Sequence, residues 1–452
     1  MYSIGLDIGT TSVCGILIDA TDGMVIKTRT EKNDSFLTTP NDWAKEQNPK
    51  RLLSILKSIA DDLLGEGKEK VVSIGLTGQM HGIVYLNTDG KPVSSLRTWQ
   101  DSRGNLPYKD GKSYAAYMSE ITGYDLATGY GTVTYFYDSI NNLVPPDAVT
   151  FCNIHDLAAM MLTERKTPLL HTSDAAAIGL FDISTNTFDQ GAITALGLNP
   201  ALFPDVTNGF AIVGQYCGIP VSVALGDNQA SFLGSVDDMN ESLLVNVGTG
   251  AQISCLVRTV PESVLDCRPL FDESYIIAGS SLCGGRAYAI LERFLREVAE
   301  TVSGTEITSA YPAMDRLMGG LDNICNSLTV TTTFSGTRTK PEERGRIEGI
   351  GIDNFTMASL CDGVLVGMVS ELHNMYQQML PFLNVPKTFM VGSGNGIRYN
   401  KPLITRFERI FGLPLRIPSH KEEAAFGASL YGLIAAGIYP DMASAQKLIH
   451  YL

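Results

Sequence analysis

The sequence holds no Cys-x-x-Cys pair and no His-Glu-x-x-His spacing. The first absence argues against a zinc ribbon or a thioredoxin-type redox motif, the second against a zinc site of the metalloprotease kind. The eight cysteines, Cys14, Cys152, Cys217, Cys255, Cys267, Cys283, Cys325 and Cys361, stand singly, as buried thiols of a reducing compartment do. No apolar run reaches membrane-spanning length. No charged stretch followed by an apolar one opens the chain, so a cytoplasmic location is expected. Positive charge is scarce: 34 Lys and Arg against 48 Asp and Glu leave a net −14. That balance argues against nucleic-acid and anionic-membrane partners, which need basic patches. It leaves room for an anionic nucleotide held by backbone donors and a metal. What is present fits a globular chain: 452 residues, 44% hydrophobic and 18% charged, enough for two domains with a core each.

The first dozen residues set the theme. Tyr2 to Ile8 is an apolar run carrying one acid, Asp7; Gly9-Thr10-Thr11-Ser12 follows, then a second apolar run from Val13 to Ile18. Asp19-Ala20-Thr21-Asp22-Gly23 ends it as a turn, so the stretch reads as a β-hairpin. A turn of glycine and hydroxyl residues gathers backbone N–H groups and hydroxyls into a concavity suited to phosphate. A carboxylate beside a phosphate needs a cation between them, so Asp7 is expected to face Mg²⁺, directly or through water. The competing reading is a tight hairpin with a capping Asp.

Helical spacing of apolar residues predicts a helix over Pro49 to Leu64, and Val71 to Thr77 is a buried strand. Helix and strand alternate, which indicates an α/β domain. The strand runs into Gly78-Gln79-Met80-His81-Gly82. Functional groups of α/β domains gather at such strand ends. Gln79 and His81 can bond a polyhydroxylated ligand in both directions, although a loop histidine satisfied by backbone reads as well. Thr98-Trp99-Gln100-Asp101-Ser102-Arg103 carries one of only two tryptophans, with an amide and an acid beside it. An aromatic face ringed by polar groups suits a carbohydrate; a Trp covering the core edge above an Asp–Arg pair is the alternative. Tyr114 to Thr122 and a segment from His155 read as helices. Thr172 to Ala176 reads as a small-residue loop before a strand from Ile178 to Phe181; Asp174 there could face the same pocket or simply close a turn.

Pro220 to Leu225 reads as a strand, followed by Gly226-Asp227-Asn228 and a helical segment at Ser231 to Gly234. An Asp at that junction serves either as a helix cap or as a catalytic acid. Phosphoryl transfer to an alcohol needs alignment, charge neutralisation and a base for the hydroxyl proton, and a carboxylate supplies the base. The second half then repeats the opening design: Leu243 to Val247, a Gly248-Thr249-Gly250 turn, and Ala251 to Ser254. Two such hairpins suggest duplicated domains that together clamp a polyphosphate. Further on come helices over about Ala287 to Val302 and Met357 to Leu380. Phe389 to Val391 is a strand into the Gly-rich Gly392-Ser393-Gly394-Asn395-Gly396. That loop lacks dinucleotide spacing, which disfavours NAD; its glycines would let a base and ribose approach the backbone. Glu422 to Ala428 reads as a small-residue helix suited to packing near that loop.

In this order the motifs resemble the FGGY family of carbohydrate kinases, of the actin/hexokinase/Hsp70 ATPase superfamily, over nearly the whole chain. The resemblance implies an α/β fold of two ribonuclease-H-like (actin/hexokinase-type) domains, mixed sheets flanked by helices, with the active site in the interdomain cleft. It implies domains over 1–234 and 235–452. Gly9, Thr10, Thr11 and Ser12 resemble the first phosphate loop, and Asn246 to Gly250, with Gly248 and Thr249, the second. Gly392, Ser393, Gly394 and Asn395 resemble the adenosine loop. Asp227 takes the place of the catalytic base. Gln79, Met80, His81, Trp99, Gln100, Asp101, Asp227 and Asn228 take the sugar site, and Asp7 and Asp227 face Mg²⁺ through water. Thr98 to Arg103, and Phe334-Ser335-Gly336-Thr337-Arg338 with Arg344-Gly345, are more similar to members acting on sedoheptulose than to those acting on xylulose. The partners implied are ATP, Mg²⁺ and a sugar, with a homodimer as the assembly that relatives often form. A switch ATPase without a small acceptor is the rival of a different class.

Overall fold

The computed structural model describes residues 1–262, 265–319, 328–337, 340 and 342–452. The chain divides into two compact units. The first is Met1–Asp237 with Arg268–Tyr275 and Glu422–His450; the second is Asp238–Cys267 with Ile276–Lys421 and Tyr451–Leu452. The units are therefore not two continuous halves, because a late helix packs with the opening strands.

In the first unit, β1 (Tyr2–Ile8), β2 (Ser12–Asp19) and β3 (Val25–Lys32) form an antiparallel meander. Helix α1 (Pro49–Leu64) follows, with Asn48 capping the amides of Lys50 and Arg51 and Pro49 in the first turn, where its missing N–H costs nothing. Its Leu52, Leu56, Ile59 and Leu63 are buried, one apolar stripe at helical spacing. Strand β4 (Val71–Gly78) lies parallel to β1. Later come α2 (Ile154–Thr163), α3 (Thr172–Ile178), β5 (Ile212–Tyr216), β6 (Ile219–Ser222), β7 (Leu225–Gly226) and α4 (Asp227–Ser235). The mixed sheet runs β5-β6-β4-β1-β2-β3, with β7 also on β4.

Three local expectations fail here. Thr172 to Ala176 is helical, not a loop: His171 caps the Ser173 amide, Asp174 sits in the first turn, and three alanines carry the helix. The strand after it is only Phe181–Asp182, since Leu180 takes a left-handed φ of 53°. The single strand expected from Pro220 to Leu225 is broken into β6 and β7.

The helix Glu423–Ala435 shows why its residues are small. Its neighbours are β1, β4 and α4, which places it in the first unit. A Cβ at Gly5 would lie 1.8 Å from the Ala425 carbonyl oxygen, and one at Gly75 1.8 Å from that of Ala428. Helix and sheet backbones touch there, and only glycine permits it.

The second unit repeats the plan. Strands β8 (Ser242–Val247) and β9 (Ala251–Val257) form a hairpin, and β10 (Ser274–Ser281) leads to α5 (Gly285–Ser303). Helix α6 (Met357–Met379) precedes β11 (Phe389–Ser393), the short α7 (Asn395–Arg398) and β12 (Leu415–Arg416). The sheet includes, in order, β10-β9-β8-β11-β12, with β11 parallel to β8 just as β4 is parallel to β1. Among the described residues no helix is long and apolar enough to cross a membrane. Arg338 of the Phe334 segment lies outside the described residues.

Candidate active site

The register of the first sheet brings the predicted acids to one edge. Asp7 on β1 lies opposite Thr77, and so does Leu225 on β7; Gly226 lies opposite Gly78. Asp7 and Asp227 therefore flank the end of the central strand from either side. Asp227 is the first residue of α4, and Gly226 holds the cap position, so its carboxylate is not spent as the cap. Burial pushes the Asp227 carboxyl up, and His155 and Arg268 pull it back, leaving it at about 6. Burial, then the charges of Asp227 and Glu422, raise Asp7 to about 7 against the opposing pull of His155. Asp7 Oδ1 is buried without a hydrogen-bond partner. An orphaned carboxylate oxygen beside two further carboxylates suits a hard divalent cation that prefers oxygen ligands.

The turn from Gly9 to Thr11 is braced by side chains from four other segments. Asn33 Nδ2 donates to the carbonyls of Gly9 (3.2 Å) and Thr10 (2.9 Å), and Gln47 Nε2 donates to Thr10 (3.1 Å). Gln79 Nε2 donates to Gln47 Oε1 at 2.9 Å, and Thr10 Oγ1 donates to Gln79 Oε1 at 3.4 Å. The Trp99 indole N–H donates to Thr10 Oγ1 at 2.9 Å, while the side chain remains 46% exposed. The aromatic segment and the phosphate-type turn are thus physically joined. Asn33 and Gln47 carried no sequence signal: each is a lone polar residue brought in by the fold.

The remaining predicted sugar residues separate. Gln79 is buried with its amide in this network. His81 is half-buried at a left-handed φ of 72°, a strained conformation of the kind found at functional sites. Its Nδ1 donates to the Ala177 carbonyl at 2.7 Å, and its ring stacks on Tyr130 at 4.7 Å. With the proton on Nδ1, Nε2 is the ring's acceptor. Gln100 is exposed and Asn228 half-buried, whereas Met80 is buried with its thioether against Gly226.

Asp101 corrects its expected role. It is fully buried; Oδ1 accepts from the Arg103 amide and Nε, and Oδ2 from the Lys45 amide and Arg103 Nη2. Arg103 also reaches Asp138 (2.7 Å) and Glu46 (3.0 Å). With both oxygens occupied inside the protein, Asp101 shapes the loop that carries Trp99.

In the second unit, Gly248 and Thr249 form an exposed turn after β8. Backbone braces it: the Gly285 amide donates to Gly248 at 2.9 Å and the Arg286 amide to Thr249 at 3.1 Å. A Cβ at Gly284 would lie 2.3 Å from the Gly250 carbonyl oxygen, so α5 starts hard against the turn. Asn246 Nδ2 donates to Ser393 Oγ at 2.9 Å, tying β8 to the Gly392–Asn395 loop. Ser393 is fully buried and Asn395 exposed.

Comparison with known proteins gives the family and the fold. The N-terminal domain of the FGGY family of carbohydrate kinases matches residues 2–234. Mouse (Mus musculus) sedoheptulokinase is 26% identical over 473 aligned positions, covering 95% of this chain and 96% of the mouse protein. Among solved structures, a xyloylose kinase from Brucella ovis superposes with a TM-score of 0.83 at 21% identity, over 99% of this chain and 92% of that one. Plasmodium falciparum glycerol kinase with ADP superposes with a TM-score of 0.81 at 16% identity, over 99% and 92%. At these identities the two structures establish the fold.

Proposed function

The chain belongs to the FGGY family of carbohydrate kinases, ATP-dependent enzymes, and on that premise we propose that its acceptor is a ketose, with sedoheptulose foremost. The reaction is ATP + sedoheptulose → ADP + sedoheptulose 7-phosphate. The reading rests above all on one observation: the Trp99 indole, exposed as a carbohydrate platform, is bonded to the Thr10 hydroxyl of the phosphate-type turn. Similarity to the mouse enzyme, and the Trp-Gln-Asp form of the segment, support the seven-carbon acceptor.

In the proposed mechanism Asp227 takes the proton of the terminal hydroxyl as that oxygen attacks the γ-phosphorus and the bond to the ADP oxygen breaks. Gly9 to Ser12, with Gly248 and Thr249, steady the phosphates through backbone N–H groups and hydroxyls. Gly392 to Asn395 receive the adenosine. Gln79, His81, Trp99, Gln100 and Asn228 orient the sugar, and Asp101 holds the loop of Trp99 and Gln100. Asp7 and Asp227 would hold Mg²⁺, which would supply neutralisation of the phosphate charge.

ADP release should be measured with Mg²⁺ and ATP against sedoheptulose, D-xylulose, D-ribulose, L-ribulose, glycerol and no sugar. Strong preference for sedoheptulose is expected. Preference for another sugar would keep the kinase and replace its acceptor; release indifferent to every sugar would favour a switch ATPase. Asp227→Ala should abolish transfer while sugar still binds, and retained turnover would reject Asp227 as the base.

A further inference from the structure

Behind Asp227 lies a buried charged cluster that the mechanism above does not use. His155 and Asp156 begin α2, and Ser173 and Asp174 begin α3; His155 and Asp174 have no exposed surface, Ser173 and Asp156 almost none. His155 Nε2 stands 2.9 Å from Asp174 Oδ1. Asp156 Oδ2 accepts from the Asn153 amide (3.2 Å), and Asn153 Nδ2 donates to the Gly82 carbonyl (2.7 Å), anchoring the start of α2 to the Gln79–Gly82 loop.

The cluster reaches Asp227 by two routes. A Cβ at Gly78 would lie 3.0 Å from His155 Nδ1, and Gly78 is the register partner of Gly226. The imidazole therefore backs directly onto the strand end beside Asp227. Second, the Gly226 amide donates to Ser173 Oγ at 3.2 Å, and Thr77 Oγ1 donates to the Leu225 carbonyl at 2.8 Å. The peptide leading into Asp227 is thus gripped by the helix turn that carries Asp174.

A buried ion pair is a poor device for stability, since a well-packed apolar pair often does as well. Its presence here needs another reason, and the neighbouring charges supply one. Asp7, Asp227 and Glu422 act on a common region from three elements, and His155 opposes the first two. We propose that His155, paired with Asp174, is a positioning residue for phosphoryl transfer: its imidazolium is a fixed counter-charge behind Asp227, and Ser173 on the same turn as Asp174 holds the Gly226 amide so that the Asp227 carboxylate meets the acceptor in one orientation. Burial alone would pull the imidazole down, and Asp174, with Asp156 and Asp227, reverses that and brings it to about 9.

This inference rests on Asp227 being the base, and the experiment separates the two. Steady-state kinetics with Mg²⁺, ATP and the fastest acceptor of the panel above would compare Asp227→Ala, His155→Gln, His155→Lys and Ser173→Ala, each checked for folding by its melting curve. Turnover by Asp227→Ala would overturn the base assignment whatever the other variants do. With that variant dead, His155→Gln should lose about 10- to 100-fold in kcat with KM for both substrates nearly unchanged. His155→Lys, which restores a cation but not the ring, should regain most of the loss. Ser173→Ala, which removes one hydrogen bond and little volume, should lose about 5-fold in kcat alone. If His155→Gln does not fold, Ser173→Ala and His155→Lys decide: wild-type kcat in the first, or collapse of KM rather than kcat in the second, overturns the proposal. So does a His155→Gln enzyme of full activity, or a deficit that Lys does not repair.

Discussion

The two glycine-and-threonine turns share a topology and differ in how they are held. Each follows a strand paired antiparallel to the next strand and parallel to a later one. The turn at Gly9 to Thr11 is fastened by Asn33, Gln47, Gln79 and Trp99, side chains from four distant segments. The turn at Gly248 to Gly250 is fastened by the amides of Gly285 and Arg286 and by the close approach of Gly284. A turn held by backbone amides draws no hydrogen bond from distant side chains. A turn held by side chains shares its hydrogen bonds with the groups proposed to orient the sugar, so on that proposal acceptor binding and phosphate binding should be coupled there and not in the second turn.

The comparison can be broken most severely at Gly284. Gly284→Val should distort the second turn, costing about 1–3 kcal/mol of stability by overpacking, with KM rising for ATP and not for the acceptor. Denaturant midpoints and substrate titrations check both parts. Asn33→Ala removes the side-chain donor to the Gly9 carbonyl and one of two to the Thr10 carbonyl, which Gln47 still meets, and should cost about 1–3 kcal/mol; here KM should rise for both substrates, the mark of the coupled turn. Trp99→Phe keeps an aromatic face and removes only the bond to Thr10, an effect of about 0.5–1.5 kcal/mol, read as a modest rise in both KM values. A further effect is one of pH. Asp7 and Asp227 hold their protons to about 7 and about 6 in the fold, against 3.8 as ordinary carboxylates. The folded state thus binds more protons than the unfolded one across that window, and metal-free stability should fall as pH rises from about 4 to 7. Melting temperatures at pH 5 and 8 should show it, Asp7→Asn should flatten it, and Mg²⁺ with ATP should oppose it. Catalysis runs the other way: kcat should decline as pH drops through about 6, where Asp227 takes up its proton.

Legibility followed the range of the interactions. The hairpin of Tyr2 to Asp19 and the helix Pro49–Leu64 are written in local period and caps, and both stand where expected. Asp227 was legible as an acid at a strand–helix junction, and the junction is there. The helix over Thr172–Ile178 was hidden because Ser, Asp and Ala in a short run look the same in a loop. Asn33, Gln47 and His155 were not legible as site residues, since their meaning comes from partners 19 or more positions away: Asn33 to Gly9, Gln47 to Thr10, His155 to Asp174. Asp101 misled in the opposite direction: its neighbour Trp99 is exposed, but Arg103 two residues on turns the carboxylate inward.

The approach of the Glu423–Ala435 helix to Gly5 and Gly75 also bears on how the chain is made. Strands β1 and β4 leave the ribosome early, yet the backbone that seals one face of their sheet is translated some 350 residues after Gly75. Until then that face lacks its helix, and exposed apolar surface of this kind makes a partly made domain prone to aggregate. A fragment ending at residue 234 should therefore express as an aggregating or protease-sensitive species, and co-expression of residues 422–450 in trans should rescue it.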